Sequence, residues 1–327
     1  MALGRFLLKR VSQGVVVMWG VVTVVFFLRY LTPGDPTTAL VPPDAGQEVR
    51  DRLREQLGLD QPLYVQYLDY LSDLVTGDFG QSMVTNREVS QLILNRMPAT
   101  IELAIAATIV AVLIGIPLGV ISARRRQEPA DFGATLFSLF GISTPNFWLG
   151  IMLILLVAVR LDFIPVGGRQ MALGTAVGMV LADGSLDGLV TWFGQIILPA
   201  IALGTYFTAL ITRLTRSGMV EEISKAYVKA CWAKGLPETL VLYKHVLRNT
   251  LIPIVTVLGL QLGTLIGGAV ITEEIFAWPG LGRFFISSIN SRDWTSVQGT
   301  IVVIGVGFVL INIAVDALTA YFDPKSA

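Results

Sequence analysis

Residues 99–122 read ATIELAIAATIVAVLIGIPLGVIS, and Arg124-Arg125-Arg126 follow one residue later. Within that run Glu102 is the single ionisable side chain. A helix of this length crosses the roughly 30 Å hydrocarbon core of a bilayer. The abrupt basic end marks a span that stops on the cytoplasmic side. Working outward, runs of the same kind lie at 11–31, 134–159, 193–212, 251–272 and 297–321. The expected fold is therefore all-α and polytopic, one transmembrane domain over residues 1–327 with about six transmembrane helices.

Composition agrees with that reading. Of 327 residues 53% are hydrophobic and only 15% charged, with a mean hydropathy of +0.67; a soluble core does not absorb so much apolar surface. The 24 basic and 24 acidic residues cancel, so no global field points to nucleic acid as a partner. Cys231 and His245 are each the single residue of their type, which excludes an internal disulfide, a Cys-rich or multi-His metal cluster and a paired-His relay. Arg5, Lys9 and Arg10 ahead of the first run resemble a signal peptide. That run is too long for a signal core and lacks a small-residue cleavage site, so it reads as a retained first span.

Loop charge fixes the orientation. Basic residues crowd the N-terminal tail, the loop at Arg124 to Arg126, and the segment 213–248, where seven Lys/Arg face three Glu. The opposite side carries segment 33–98, with ten Asp/Glu against five Arg, and two loops that each lean acidic by one charge. The positive-inside rule then places both termini and a cytoplasmic loop at 213–250 on the inner side, with 33–98 as an extracytoplasmic insertion. In that insertion Leu63, Tyr67, Tyr70, Leu71 and Leu74 fall on one helical face. The face suits packing on the outer span ends, or a contact with an external protein or gate.

Inside the spans, Gly115 and Gly119, and then Gly259, Gly263 and Gly267, have the spacing that lets helix backbones approach closely. Pro117 and Pro145 each remove a backbone donor, predicting kinks, with Ser143 and Thr144 placed to serve the freed carbonyls. Membrane-embedded charge is scarce. Glu102 near the outer end of the second span and Asp316 near the inner end of the sixth read as hydrogen-bonding groups, since neither sits at the mid-depth a proton relay needs.

The cytoplasmic loop holds Glu221-Glu222-Ile223-Ser224-Lys225-Ala226-Tyr227-Val228-Lys229-Ala230-Cys231-Trp232-Ala233-Lys234-Gly235-Leu236-Pro237. It predicts a short helix with acids in its first turn and Lys234 in its last, stopped by Gly235 and Pro237. Tyr227, Ala230 and Cys231 share a face, with Val228 and Trp232 beside it. Such a patch fits either an amphipathic helix on the inner membrane surface or a docking element for another protein.

The stretch from Ala226 to Pro237, followed by Leu247-Arg248-Asn249-Thr250-Leu251-Ile252-Pro253, resembles the cytoplasmic signature of ABC importer permeases. More narrowly it is similar to the B-type subunit of the dipeptide/oligopeptide/nickel group. Further matches run along nearly the whole chain: Pro33-Gly34-Asp35-Pro36, Leu57-Gly58-Leu59-Asp60-Gln61-Pro62, Gly77-Asp78-Phe79-Gly80-Gln81-Ser82, Glu274-Ile275-Phe276-Ala277-Trp278-Pro279-Gly280-Leu281-Gly282 and Asp323-Pro324. The resemblance implies a type I ABC importer permease fold in a prokaryotic plasma (inner) membrane. It implies a coupling helix that docks on an ATPase subunit, with Glu222, Tyr227, Ala230, Lys234 and Gly235 at the contact. The pattern departs from the general one at Lys229-Ala230-Cys231, where Glu-Ala-Ala is usual, and at His245-Val246-Leu247-Arg248, where Ile-x-Leu-Pro is usual. Implied partners are a homologous C-type permease, two ABC ATPase subunits and an external solute-binding protein, besides membrane lipid. The group handles dipeptides, longer peptides, glutathione, nickel complexes and some sugars.

A phosphate-cradling loop needs Gly-Lys, and that dipeptide is absent. Val166-Gly167-Gly168-Arg169-Gln170 has a superficial likeness to an ABC signature but lies on the outer side and reads as a glycine loop. No catalytic residue set or cofactor site is expected in this chain, so an intramembrane enzyme is the weakest reading. ATP and magnesium would be bound by the partner ATPase subunits. The competing transport readings are an ion-coupled carrier or a passive channel.

Overall fold

The computed structural model describes residues 2–31, 46–56, 58–161 and 164–322. Pro33-Gly34-Asp35-Pro36 and Asp323-Pro324 lie outside them. Among the described residues the chain is helical, with one isolated β-bridge between Gln81 and Glu88.

Helix α1 (Ala2–Leu31) is followed by two short outer helices, α2 (Gln47–Gln56) and α3 (Leu63–Thr76). Then come α4 (Val89–Arg124), α5 (Pro129–Ser143) and α6 (Asn146–Leu153), the last prolonged by a π-helical turn at Ile154–Ala158. Helix α7 (Leu173–Asp183) precedes α8 (Asp187–Ile223), α9 (Ala226–Ala233) and the single turn α10 (Glu238–Leu240). A second π-helical turn, Val241–Val246, leads into α11 (Leu247–Ile275), α12 (Leu281–Asn290) and α13 (Trp294–Phe322).

Four of these, α1, α4, α8 and α13, are uninterrupted helices long and apolar enough to cross a membrane; counting each of two bent pairs as one span gives up to six. The expected span 134–159 is not one kinked helix but two, α5 and α6, meeting at 104°. Proline disfavours the helical region for the residue before it, and Thr144 is accordingly extended (φ −84°, ψ 124°), with Pro145 capping α6. Pro117 behaves otherwise, as does Pro98: both lie inside the continuous α4. Helix α4 therefore starts at Val89, within the segment 33–98. The axes of Glu238–Leu251 and Pro253–Leu265 differ by 47°.

The core is the α4/α8 pair. A Cβ on Gly119 would stand 2.5 Å from the Thr215 Cβ and 2.7 Å from the Thr212 carbonyl oxygen, and one on Gly115 would stand 2.9 Å from the Thr208 oxygen. The glycine spacing read from sequence is thus the α4–α8 seam. Leu103, Ala107, Ala111, Leu203 and Ile211 fill it. On α11, Gly259 is pressed by Val315 and Gly263 by the Phe308 ring of α13, while Gly267 faces open space. Outside, Tyr67 and Tyr70 of α3 set their rings on Phe26 of α1, and the Tyr67 and Thr23 hydroxyls are 2.6 Å apart. That part of the insertion packs on an outer span end.

Candidate functional site

At about 1.5 Å per residue, α8 is far longer than a bilayer is thick, so its last turns carry Glu221 and Glu222 out of the apolar layer. The two acids close α8 rather than open the next helix, which corrects the sequence reading. Ser224 and Lys225 make the corner, and α9 begins at Ala226. It stops as expected: Gly235 takes a left-handed φ of 76°, and its N–H donates to the Trp232 carbonyl at 2.9 Å. A side chain there is disfavoured by its Cβ, so glycine is the natural stop.

Glu222 clasps this corner. Its carboxylate accepts from Lys225 Nζ, from the Tyr227 hydroxyl at 2.8 Å and from Asn249 Nδ2 at 3.0 Å. Asn249 Nδ2 also donates to the Tyr227 oxygen at 3.1 Å. One buried carboxylate so joins the end of α8, the start of α9 and the start of α11. Burial acts to raise its proton affinity, but the donors from Lys225, Tyr227 and Asn249 outweigh that and hold the carboxyl below its ordinary value. Burial and donation to Glu222 push the Tyr227 hydroxyl up, and the bond to Glu222 pushes the Lys225 ammonium up.

Beneath α9, Val228 is fully buried with Val120, Ala123, Met219, Val241, Leu242 and Val246, and Tyr227 and Cys231 pack against that cluster. Cys231 fills space there as a small packing residue. Charge braces the same region. Arg216 holds Asp131 through two bonds of 2.6 and 2.8 Å, Ser122 donates to Asp131 at 2.5 Å, and Arg124 pairs with Glu238 at 2.9 Å.

The five residues named from the resemblance therefore divide. Glu222 and Tyr227 face inward and hold the corner together, whereas Ala230, Lys234 and Gly235 are exposed. Trp232, 41% exposed, joins the outer face. Sequence reasoning misses Asn249 and Lys225: Lys225 stands three positions from Glu222, a local signal, whereas Asn249 reaches Glu222 and Tyr227 across 27 and 22 positions, which leaves none.

The outer end has its own locks. Arg169 grips Glu102 with bonds of 3.0 and 2.7 Å, and the Leu173 N–H adds a third at 3.1 Å, so Glu102 is indeed an interhelical group. Asp316 likewise pairs with Arg10, at 3.1 Å. The loop of Gly167 and Gly168 is more than a spacer: the Gly168 N–H donates to the Phe276 carbonyl at 2.8 Å, and Gln195 Oε1 accepts from the N–H groups of Gln170 and Met171. Trp278 is fully buried, its Nε1 donating to the Ala99 carbonyl at 2.8 Å. Glu273, also fully buried, accepts from the Thr100 hydroxyl at 2.7 Å and the Arg283 N–H at 3.0 Å, capping α12. Among the described residues no group of three or more His, Cys, Asp or Glu side chains is placed to hold a metal ion.

Known proteins are similar to this chain. The family model described as binding-protein-dependent transport system inner membrane component matches residues 115–327, and the model of its N-terminal part matches residues 3–104. A probable D,D-dipeptide transport system permease protein of Escherichia coli is 42% identical over 319 residues, covering 95% of this chain and 94% of the relative. A dipeptide transport system permease protein of Alkalihalophilus pseudofirmus is 39% identical, covering 98% of each. An oligopeptide transport system permease protein of Bacillus subtilis is 38% identical, covering 99% of each. The inward-facing MetNI methionine ABC transporter shares the fold, with a TM-score of 0.52 at 18% identity over 71% of this chain and 96% of that one. With the helical order, the buried corner at Glu222 and these matches in hand, the chain belongs to the binding-protein-dependent transport system inner membrane components, multi-pass permease subunits of ABC importers with the type I fold.

Proposed function

We propose that this chain forms half of the membrane path of a peptide importer, worked by ATP hydrolysed on separate subunits that press on α9. The clasp at Glu222 carries the proposal. A push on the exposed Ala230, Lys234 and Gly235 reaches α8 and α11 directly, because one carboxylate holds all three helices. Helix α8 is locked to α4 along the glycine seam, so the pair moves as a body and rocks between inward- and outward-facing arrangements. Ala230, Lys234 and Gly235 with Trp232 form the docking face; Glu222 and Tyr227 position it from behind.

Peptide as cargo is supported by the relatives, named for dipeptide, D,D-dipeptide and oligopeptide transport. Two ATPase subunits, a homologous C-type permease and an external solute-binding protein complete the machine, with ATP and magnesium on the ATPases. Two carboxylates favour this over an ion-coupled carrier, Glu102 paired with Arg169 and Asp316 with Arg10; the buried Glu273 is held by the Thr100 hydroxyl and the Arg283 N–H, where it caps α12.

The test is uptake of a labelled dipeptide into vesicles holding the reconstituted complex. ATP-dependent accumulation that needs both the ATPases and the binding protein supports the reading. Accumulation driven by an ion gradient without ATP overturns it.

A further inference from the structure

Beside the α9 corner, where α11 leaves the cytoplasmic side next to the end of α13, lies a pocket of about 670 Å³. Its charge comes from Lys244, His245 and Arg248, and its apolar wall from Leu251 and Val255. Among the described residues no carboxylate lines it. The acids nearest in sequence are occupied elsewhere, Glu222 by Lys225, Tyr227 and Asn249 and Asp316 by Arg10. Among the described residues neither Lys244 nor Arg248 forms an ion pair, and both are exposed. Two exposed cations in one concavity favour an oxyanion as its occupant.

Position says which oxyanion. Lys244 and His245 stand in the π-helical turn Val241–Val246, a conformation that recurs at functional sites. Arg248 opens α11, and the apolar run begins at residue 251, so cationic groups sit at headgroup level with apolar wall directly beneath them. On the membrane side, the Thr256 and Thr319 hydroxyls, 3.2 Å apart, tie α11 to α13 and close the pocket. A free phosphate would use the charges and leave the wall idle; a phospholipid uses both.

We propose that this pocket binds the phosphate headgroup of an anionic phospholipid of the cytoplasmic leaflet, with Lys244 and Arg248 on the phosphate and Leu251 and Val255 against the first carbons of the acyl chain. Tyr227 and Asn249 of the clasp also line this pocket, so the test reads lipid retention by the isolated chain and not transport.

Native mass spectrometry of the full-length chain in neutral detergent tests it, with phosphatidylglycerol, phosphatidylcholine and inorganic phosphate as probes. Phosphatidylglycerol adducts should survive activation that strips phosphatidylcholine. The double variant K244Q/R248Q should weaken phosphatidylglycerol retention about tenfold. R125Q/R126Q, which removes equal charge from exposed positions elsewhere on the cytoplasmic side, should retain it. Val255→Trp leaves every charge in place and fills the wall, and it too should lose the lipid. Equal retention of the two lipids, equal loss in R125Q/R126Q, full retention in Val255→Trp, or displacement by matched inorganic phosphate would each overturn the proposal.

Discussion

The Tyr227 hydroxyl donates to the Glu222 carboxylate at 2.8 Å, across the corner where α8 gives way to α9. That bond turns a short cytoplasmic helix from a tethered appendage into a rigid extension of the membrane domain. Replacing Glu222 by Gln keeps the shape but removes the charge that Lys225 meets. We expect a loss of about 1–3 kcal/mol in stability at neutral pH, read by thermal unfolding of the purified protein, with a lower ratio of uptake to ATP hydrolysed. Phe at Tyr227 should act in the same direction but less.

Proton linkage gives that clasp a signature. Because the folded Glu222 carboxyl lies below its ordinary 4.5, the unfolded chain binds its proton first, and stability falls with falling pH. The contribution is complete above about 4.5 and is lost as pH drops through the lower folded value. The unfolding midpoints of the parent and Glu222→Gln should therefore converge in acid. A gap that stays constant down to pH 3 would show that the carboxylate is not what the clasp uses.

Gly235 separates backbone strain from surface shape. Its φ of 76° makes any side chain cost about 1 kcal/mol, yet a Cβ there meets nothing within 4 Å. Ala at 235 should thus insert normally and transport nearly as well as the parent. Trp should insert as well but uncouple ATP hydrolysis from uptake; wild-type transport by the Trp variant would sink docking at this face.

At the α4–α8 seam the outcome is a folding defect. Gly119→Val forces atoms into Thr215 and should cost about 1–3 kcal/mol or more, seen as reduced membrane-inserted protein. Gly267→Ala, in the same sequence pattern but facing open space, should leave the yield unchanged.

On the outer side, Arg169→Ala leaves the half-buried Glu102 carboxylate without its cation and should destabilise by about 1–3 kcal/mol. Exchanging the pair, as Glu102→Arg with Arg169→Glu, should not restore stability, since Glu102 also accepts the Leu173 N–H and an arginine cannot. Thermal unfolding of the two variants against the parent checks both statements.

Helix class, the apolar runs able to span a bilayer and the family were legible in the amino-acid order alone, because a bilayer demands long apolar runs and the family's motifs are local in sequence. The close-packing glycines at 115, 119, 259 and 263 were legible for the same reason, as local patterns with one physical meaning. Tertiary structure decided whatever depends on partners far apart in the chain. Pro145 begins a new helix while Pro117 rides inside one, a difference that the residue type alone does not encode. Trp278 is buried against Ala99, and Glu273 meets Thr100, across more than 170 residues. The loop at 221–237 shows both halves of the lesson. Its order predicted a short helix stopped at Gly235, and only the fold brought Asn249 beside Glu222 and Tyr227, dividing residues that hold the corner from those left exposed to be pushed.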